Sequence, residues 1–454
     1  MPRREPSLTV DSLRRSVADG TIDTVVVAFP DMQGRLQGKR LHAQFFLDHV
    51  LEHNTEGCNY LMATDVDMNT VDGYAISSWE RGYGDMEFDA DLDTLHVVPW
   101  LPGTAMLIAD MTWLDEGHSP VDESPRQVLK AQVDKAAAKG LVAYAGTELE
   151  FIVFNNTYED AWDRGYRGLT PANQYNVDYS LLGTSRIEPL LRDIRNAMYA
   201  AGLRVESAKG ECNLGQHEIA FLYDEVVRTA DNHSIYKNGA KEIAVRHGKA
   251  ITFMAKWDAR EGNSCHIHMS LRGEDGRIVF DEGDGPTDIF KQFVAGVQAT
   301  MCDLTLFYAP TINSYKRFVE GSFAPTSTAW GFDNRTCSLR VVGHGPGLRL
   351  ENRLPGGDVN PYLGLAAMLA GGLRGIDLGL ELEPPYEGNA YHSPHPKVPT
   401  SLKEARDLFT ESKLAREMFG DAVVDHYTRN ADVELEAFAA TVTDWERFRS
   451  FERM

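Results

Sequence analysis

Two carboxylates stand two positions apart, at Glu148 and Glu150, within an apolar stretch at residues 145–154. The stretch is short and rich in β-forming residues, which predicts a buried strand. Side chains two positions apart on a strand project from the same face, so both carboxylates would lie side by side. Burying two like charges costs free energy unless a cation lies between them. The pair therefore indicates a site for Mg²⁺ or Mn²⁺, and a half-exposed strand with a solvated acidic face is the alternative.

Four more potential metal ligands follow along the chain. Glu211 and Glu218 are close enough in sequence to converge across a turn, and a solvated loop is the alternative. Residues 265–271 alternate strictly between apolar and polar, so His266 and His268 would face the same side of a strand. Neutral imidazole readily binds metal, so the two histidines are candidate ligands or substrate contacts.

Arginine is concentrated further along, among glycines, prolines and short predicted strands. Glu351 lies in this region, two positions from an arginine on either side. Such a cluster in an acidic protein suggests bidentate capture of phosphate or carboxylate, and a salt-bridged surface is the alternative. The clustered residues are Arg317, Arg335, Arg340, Arg349 and Arg353.

The bulk composition is that of an ordinary soluble globular protein. Of 454 residues, 43% are hydrophobic and 25% are charged, and the length allows two or three domains. No uninterrupted apolar stretch is long enough to span a bilayer, and residues 1–6 lack the apolar core of a secretory signal. The formal charge of -22 argues against non-specific nucleic-acid binding and is compatible with cationic small substrates.

The five cysteines have neither disulfide nor zinc spacing, which predicts a reducing cytoplasmic location. There is no Walker loop, and no Rossmann glycine fingerprint follows a predicted strand. Any nucleotide must therefore be bound in another way. The cysteines stand at positions 58, 212, 265, 302 and 337.

The N-terminal part of the chain predicts a small β domain that ends near Gly103. A helix is expected over residues 7–19, followed by a strand at 22–29 and a second strand that ends at residue 41. Asp31 lies in the turn between these strands, where a turn-forming role is the most economical interpretation. We therefore predict one domain over residues 1–103 and a second over 104–454.

The second domain is predicted to mix strands and helices, which gives an α+β fold. Strands are expected at 105–111, 145–154, 250–256 and 265–271, and another reaches residue 206. Residues 155–185 are rich in Tyr, Asn and Gly and suggest an excursion over a site. Capping-box patterns at residues 401–404 and 443–446 predict helices in the C-terminal region. Further helices are expected over residues 124–140, 187–201, 224–248 and 360–378.

Several sequence blocks, in order along nearly the whole chain, strongly resemble the class I glutamine synthetase family. The blocks are Thr-Glu-Leu-Glu-Phe at 147–151, Gly-Gln-His-Glu at 215–218, His-Ile-His at 266–268, Asn-Ser-Tyr-Lys-Arg at 313–317, Asn-Arg-Thr-Cys-Ser-Leu-Arg at 334–340, Glu-Asn-Arg-Leu-Pro at 351–355, Asn-Pro-Tyr at 360–362 and Val-Thr-Asp-Trp-Glu at 442–446. This resemblance implies an N-terminal β-grasp domain and a catalytic domain built on a curved antiparallel sheet with flanking helices. It also implies a homo-oligomer, a dodecamer of two hexameric rings, in which neighbouring subunits share each site.

The resemblance implies two divalent metals per site, Mg²⁺ or Mn²⁺, with ATP as co-substrate. The ligands of one metal would be Glu150, Glu211 and Glu218. The ligands of the other would be Glu148, His266 and Glu351. Arg335 and Arg340 would face the transferred phosphate, and Arg335 would act as a catalytic residue.

The resemblance also assigns the contacts with substrates. Those with L-glutamate would be Gly262, Arg317 and Arg353. Those with the nucleotide would be Glu206, His268 and Ser270, together with Arg335 and Arg340. Asp31 would reach into the next subunit's site as a catalytic residue beside the incoming amine.

The flap after the Lys-Arg block departs from the family pattern. Members that use ammonia carry Gly-Tyr-Glu-Ala-Pro there, whereas residues 321–325 of this chain read Gly-Ser-Phe-Ala-Pro. Phe323 thus replaces a carboxylate, which weakens ammonium binding and offers a ring that can pack on an alkyl chain. Glu320 replaces the usual proline, and either restores an acid to the amine site or faces solvent.

Other departures lie near the first predicted metal site. Lys209 and Gly210 stand where the family has two histidines, and Glu261 replaces a loop asparagine. Near residues 389–391 there is no clear match to the tyrosine that is modified in some bacterial enzymes.

These features together predict an ATP-dependent ligase that joins the γ-carboxylate of L-glutamate to a primary amine through γ-glutamyl phosphate. Ethanolamine is favoured, because the site has only exchanged one carboxylate for a ring and no second acidic cluster is evident for a distal ammonium. The resemblance is to the γ-glutamylethanolamide and γ-glutamylpolyamine synthetases, so a polyamine is possible. The alternatives are a true glutamine synthetase, with Glu320 supplying the lost charge, and a non-catalytic structural or regulatory protein.

Overall fold

The strands form two sheets within residues 8–454, the part of the chain that the computed structural model describes. The N-terminal sheet has the order β2-β1-β5-β4-β3, in which β1 and β5 are parallel and the other neighbours are antiparallel. Its strands are β1 (Thr24–Pro30), β2 (Leu36–His42), β3 (Thr55–Cys58), β4 (Asp85–Val97) and β5 (Thr104–Trp113).

Strand β5 belongs to this N-terminal sheet, although the sequence pattern put it in the second domain. Residues 24–28 of β1 pair with residues 104–108, and β4 pairs with the other edge of β5. A boundary after residue 103 would separate β5 from both partners. We therefore propose that the domain boundary follows β5, after Trp113.

The second sheet has nine strands in the described part of the chain, with β6 at its centre. Along the main path the order is β12-β13-β14-β11-β6-β8-β7, and the short strands β9 and β10 also pair with β6. The strands are β6 (Leu141–Phe154), β7 (Val205–Gly210), β8 (Gln216–Phe221), β9 (Asp224–Glu225), β10 (Ala250–Thr252), β11 (Cys265–Gly273), β12 (Trp330–Phe332), β13 (Leu339–Val342) and β14 (Arg349–Asn352).

Helices α1 and α2 pack against the N-terminal sheet, and the helices from α4 onward belong to the second part of the chain and its C-terminal region. No helix among the described residues is long and apolar enough to span a membrane. The helices are α1 (Val10–Ala18), α2 (Ala43–Phe45), α3 (Leu51–His53), α4 (Pro125–Ala137), α5 (Tyr158–Asp163), α6 (Leu181–Thr184), α7 (Glu188–Ala200), α8 (Val226–Arg246), α9 (Asp288–Thr300), α10 (Thr305–Tyr308), α11 (Pro361–Leu378), α12 (Leu402–Glu411), α13 (Lys413–Phe419), α14 (Asp421–Ala440) and α15 (Asp444–Ser450).

Helix α11 is the centre of the main hydrophobic core, because almost all of its side chains are small or apolar and buried. Asn360 caps its N-terminus, and Gly379 ends it in a left-handed conformation. It crosses α9 closely, since a methyl group added at Gly375 would lie 2.0 Å from the Gln292 carbonyl oxygen. Glycine is therefore required at this crossing.

The α+β prediction is confirmed, and so are most predicted elements. The expected helices at 124–140, 187–201, 224–248 and 360–378 correspond to α4, α7, α8 and α11, and the expected first helix to α1, with residue 7 outside the described residues. The strand predicted at 250–256 ends at Thr252, because the Asn263 side chain donates hydrogen bonds to the backbone carbonyl groups of Thr252 and Met254 in place of a neighbouring strand. The strand predicted to reach residue 206 instead begins at Val205 and continues to Gly210.

The two capping-box predictions have different outcomes. Thr443 and Glu446 form the reciprocal box at the start of α15. Ser401 accepts a hydrogen bond from the Glu404 backbone, but the Glu404 carboxylate bonds Thr400 instead. The capping box at residues 401–404 is therefore only half formed.

A buried ion network joins the two parts of the chain. The Arg126 guanidinium on α4 contacts Asp91 on β4 at 2.6 Å, Asp110 on β5 at 2.7 Å and Asp231 on α8 at 3.0 Å. The Tyr362 hydroxyl on α11 donates to Asp231 at 2.7 Å. Both domains thus share one buried cation.

We expect Arg126→Ala to destabilise the protein by about 3–5 kcal/mol, because it leaves buried carboxylates without their cation. Arg164→Ala removes an exposed pair with Asp160 and should cost about 1 kcal/mol or less. Urea unfolding of both variants measures the difference. A midpoint shift for Arg126→Ala no larger than that for Arg164→Ala would contradict the assignment.

Candidate active site

The strand register of the second sheet places the predicted acidic residues together. On β6, Glu148 lies opposite His266 of β11, and Glu150 lies opposite Glu218 of β8. On the far side of β11, His268 lies opposite Glu351 of β14. Alternation along four antiparallel strands therefore directs this set to one face.

The first cluster contains Glu150, Glu211 and Glu218, whose nearest carboxylate oxygens all lie within 4.8 Å of one another. Burial, together with the charge of Glu211, raises the pKa of Glu150 to about 8. Burial and the neighbouring carboxylates also raise the pKa of Glu218. Three crowded oxygen donors of this kind fit Mg²⁺ or Mn²⁺, which would remove the charge repulsion.

Neighbouring groups fix the orientation of Glu150. Its carboxylate accepts hydrogen bonds from the Ser264 backbone at 2.7 Å and the Ser264 hydroxyl at 2.6 Å. The Gln216 side chain donates a third bond at 3.1 Å. This carboxylate is therefore preorganised, which suits a metal ligand.

The second cluster contains Glu148, His268 and Glu351, also within 4.8 Å of one another. His266, the histidine predicted for this metal, lies close as well, with Nδ1 at 3.2 Å from Glu148 and 3.4 Å from Glu351. His268 Nε2 lies 2.9 Å from Glu148. Both imidazoles thus border the cluster, and the choice of His266 as the ligand stays a prediction.

The two imidazoles influence the charge of the second cluster. Burial would raise the pKa of Glu148, but hydrogen bonds from His266 and His268 outweigh it and lower that pKa. Burial and the charge of Arg353 lower the pKa of His266 to about 4. A neutral imidazole beside ionised carboxylates is the form that binds a divalent metal.

Two arginines clasp Glu351. Arg340 Nη1 donates to one carboxylate oxygen at 2.9 Å, and Arg353 Nη1 donates to the other at 2.6 Å. Arg340 also contacts Asp333. Arg335, predicted beside the transferred phosphate, is exposed in the same strand-connecting segment. The phosphate-facing roles of Arg335 and Arg340 stay predictions.

The predicted glutamate-binding residues form a tight buried unit. Arg317 donates to the backbone carbonyl groups of residues 353–355, and its Nε has no partner. A methyl group added at Gly262 would lie 2.1 Å from the Ala255 carbonyl oxygen and 2.9 Å from the Arg317 side chain. Gly262 thus packs against Arg317. Arg353 Nε is also buried without a partner, so one donor of each arginine is free for an anion such as glutamate.

The predicted nucleotide residues line one cavity beside the second cluster. Glu206, His268 and Ser270 all border it, and Glu148 forms its inner wall. Arg335 and Arg340, which were also predicted for the nucleotide, do not line this cavity, and their contact with the nucleotide stays a prediction. The structure thus brings together the three residues predicted only for the nucleotide.

Three aromatic or cationic side chains of this cavity lie outside the predicted site residues. The Arg272 guanidinium lies 5.4 Å from the Tyr144 ring centre and 5.9 Å from that of Tyr223. Arg272 follows His268 and Ser270 at the same two-residue period on β11, which could have revealed it. Flat π surfaces and a cation at a cavity wall suit a nucleotide base. The three are Tyr144, Tyr223 and Arg272, and Arg349 of the predicted arginine cluster also lines the cavity.

Asp31 is completely buried at the tip of the β1–β2 hairpin. Its carboxylate accepts bonds from the backbones of Gln33 and Arg35 and from the side chains of Arg35 and Gln37. These contacts are those of a turn-forming residue. A role at a neighbouring subunit's site stays a prediction and would require Asp31 to exchange these donors.

The flap holds Phe323 in a left-handed backbone conformation with φ of 58°, which is uncommon for a side chain of this size. The Phe323 side chain is 53% exposed. Glu320 is also exposed and lies 3.6 Å from His392. The ring is therefore presented outward by the backbone, while Glu320 faces solvent beside a histidine.

Comparisons with known proteins identify the family of this chain. Residues 122–450 match the glutamine synthetase catalytic-domain family. The chain is 63% identical to the gamma-glutamylethanolamide synthetase GlnA4 of Streptomyces coelicolor, over 99% of this chain and 97% of that protein. It is 37% identical to the glutamate–isopropylamine ligase of a Pseudomonas species, over 96% of each.

A solved structure supports the same relationship. The GmaS/ADP complex-Conformation 1 superposes with a TM-score of 0.84 at 26% identity, covering 97% of this chain and 99% of that chain. The extent of these matches shows that the chain belongs to the glutamine synthetase family.

Proposed function

We propose that this protein is an ATP-dependent ligase that joins the γ-carboxylate of L-glutamate to a primary amine through γ-glutamyl phosphate. The observation that carries this proposal is the pairing of two metal-type ligand clusters with the adjoining cavity lined by Glu206, His268 and Ser270. The similarity to two glutamate–amine ligases supports it. A non-catalytic protein would have no need to keep this costly charge arrangement.

The chemistry requires an activated acyl group, because a carboxylate oxygen is a poor leaving group. Divalent metals held by the two clusters would neutralise charge on the phosphoryl oxygens. Arg340 and Arg335 are expected to assist from the other side, while Arg317 and Arg353 fix glutamate with Gly262. The amine must lose a proton to become a nucleophile, so a nearby carboxylate serves as the base.

Ethanolamine is the amine we favour. The name of the Streptomyces coelicolor relative supports it, and Phe323 offers an apolar contact in place of an anion. The ammonia alternative needs Glu320 as a substitute acid, but Glu320 contacts His392 and is 64% exposed. A polyamine remains the second candidate.

We also propose a homo-oligomer, a dodecamer of two hexameric rings in the cytoplasm. The C-terminal helix α15 supports an assembly, because Trp445 is 66% exposed and Phe448 72% exposed on the isolated chain. Large apolar side chains exposed together indicate a protein contact.

The direct test is ADP release that depends on glutamate, Mg²⁺ and an amine, measured across a panel of ammonia, ethanolamine, isopropylamine and diamines. We expect ethanolamine to give the highest kcat/KM. Equal use of ammonia and every primary amine would contradict the amine-ligase proposal.

Glu150→Ala and Glu218→Ala should each lower kcat at least about 1000-fold, since each removes a metal ligand at the centre of phosphoryl transfer. Glu116→Ala, an exposed change in the segment between β5 and α4, outside both clusters, is the control. Calorimetric titration with Mn²⁺ and anomalous scattering from soaked crystals provide independent readouts. Full metal binding by both variants would refute the ligand assignment.

Phe323→Glu should raise kcat/KM for ammonia relative to ethanolamine by about tenfold or more, because it restores an anion for ammonium and removes apolar contact. The backbone strain at this position is common to both residues, so the comparison isolates the side chain. Glu320→Gln is the companion control. An unchanged ratio in Phe323→Glu would exclude this position as a determinant.

Trp445→Ser combined with Phe448→Ser should reduce the mass of the assembly in light scattering, because the change makes an apolar contact polar. Tyr199→Ser, a similarly exposed aromatic on α7, serves as the control. The oligomer proposal fails if the wild-type protein is a monomer with full specific activity.

A further inference from the structure

We propose that Lys209 selects the amine substrate, excluding amines that carry a second positive charge and admitting those with a neutral tail. This inference rests on the proposed ligase function and concerns the end of the site opposite the nucleotide cavity. Phe323 is proposed to distinguish ammonia from an organic amine, whereas Lys209 would act on the group at the distal end of that amine.

Strand β7 connects the two ends of the site. Glu206, near its start, lines the nucleotide cavity, and Lys209 lies three residues further along, about 10 Å away at strand spacing. There Lys209 pairs across the sheet with Glu218 and forms an ion pair with Glu211. Its side chain is 27% exposed, so this end of the carboxylate cluster is open to solvent.

The chemistry places the amine at this open end. The nucleotide occupies the cavity beside Glu148, and the buried arginines Arg317 and Arg353 enclose the glutamate side. An amine that attacks the acyl phosphate therefore needs another approach, with carboxylates at hand to accept its proton. The rim at Lys209 provides solvent access and carboxylates together.

Two side chains from the excursion at residues 155–185 complete this rim. Asp178 Oδ1 lies 3.8 Å from the Lys209 ammonium, and the Tyr179 ring centre lies 4.7 Å from it. A carboxylate and an aromatic face are the groups that hold an organic ammonium. Here they hold the ammonium of the protein itself, so the place that a distal substrate ammonium would take already carries a positive charge.

Gly210 makes this arrangement possible. A methyl group added there would lie 2.2 Å from the Val177 carbonyl oxygen, so any side chain would push this segment away. Because it has none, the Tyr179 backbone donates to the Gly210 carbonyl at 3.4 Å, and the segment lies over Lys209. The Lys209–Gly210 pair, which replaces two histidines of the family pattern, therefore acts as a unit.

Two amines of equal length isolate the effect of charge. 1,4-Diaminobutane carries a distal ammonium, whereas 4-amino-1-butanol carries a hydroxyl in its place. A fixed cation at the rim repels the first and can donate a hydrogen bond to the second. We expect the wild-type holoenzyme to have a higher kcat/KM for 4-amino-1-butanol, by about tenfold or more.

Lys209→Gln should lower the preference for 4-amino-1-butanol over 1,4-diaminobutane by about tenfold, and Lys209→Glu should lower it further or reverse it. Lys209→Arg keeps the charge and should keep the preference within about threefold. Lys403→Gln, which removes an exposed lysine paired with Asp407, should leave it unchanged. The ratio cancels any common effect of Lys209 on metal binding, which a purely structural role would produce.

If a variant is inactive, calorimetry with Mg²⁺, glutamate and a non-hydrolysable ATP analogue present measures the dissociation constants of both amines. The ratio of these constants then replaces the ratio of kcat/KM values. An unchanged ratio in an active Lys209→Gln enzyme, or in its binding when it is inactive, would overturn the role of Lys209 and leave the ligase function standing. A wild-type preference for the diamine would do the same. Absence of amine-dependent ADP release from the wild-type protein would overturn both proposals.

Discussion

The concentration of negative charge on one face of the second sheet is the constraint on which the site depends. Two carboxylates about 5 Å apart repel by about 3 kcal/mol at an effective dielectric constant of about 20. Glu150, Glu211 and Glu218 approach one another more closely than that. The strand register enforces this contact, and the neighbouring residues Leu149 and Phe151 of β6 and Ile219 of β8 are buried in a hydrophobic core with α7 and α8. Packing of these apolar neighbours thus opposes the repulsion within the site.

The fold compensates the two clusters unequally. Glu351 is clasped by Arg340 and Arg353, so much of its charge is neutralised by the protein itself. Glu150 receives only neutral donors from Ser264 and Gln216, and its pKa is raised to about 8. Lys209 pairs with Glu211, so the first cluster has one cation for three carboxylates and keeps the stronger need for an added one, while the second has two arginines beside Glu351 and is closer to balance. One sheet face thus offers two sites of different electrostatic character.

Local spacing predicted the strands that bear the site, but it could not determine which residues meet across them. The pairs Glu148/Glu150 and His266/His268 follow from alternation on one strand, which is a local property. The contact of His268 with Glu148, the pairing of β5 with β1 and the donors around Asp31 depend on register and tertiary packing. Strand β10 is short for the same reason, because the Asn263 side chain donates hydrogen bonds to the backbone carbonyl groups of Thr252 and Met254.

The residues that differ from the family pattern lie where change is least costly to the fold. The predicted metal ligands on β6, β8, β11 and β14 lie on strands that are paired on both sides, whereas Glu211 follows the end of β7. Phe323 lies in an exposed flap, and Lys209 stands at the end of its strand beside Gly210. Loops and strand ends carry few packing contacts, so substitutions there alter recognition at little cost in stability. Phe323 can therefore change without moving either carboxylate cluster, whereas Lys209 pairs with Glu211 and opposes Glu218, so a change there acts on amine recognition and on the first cluster together.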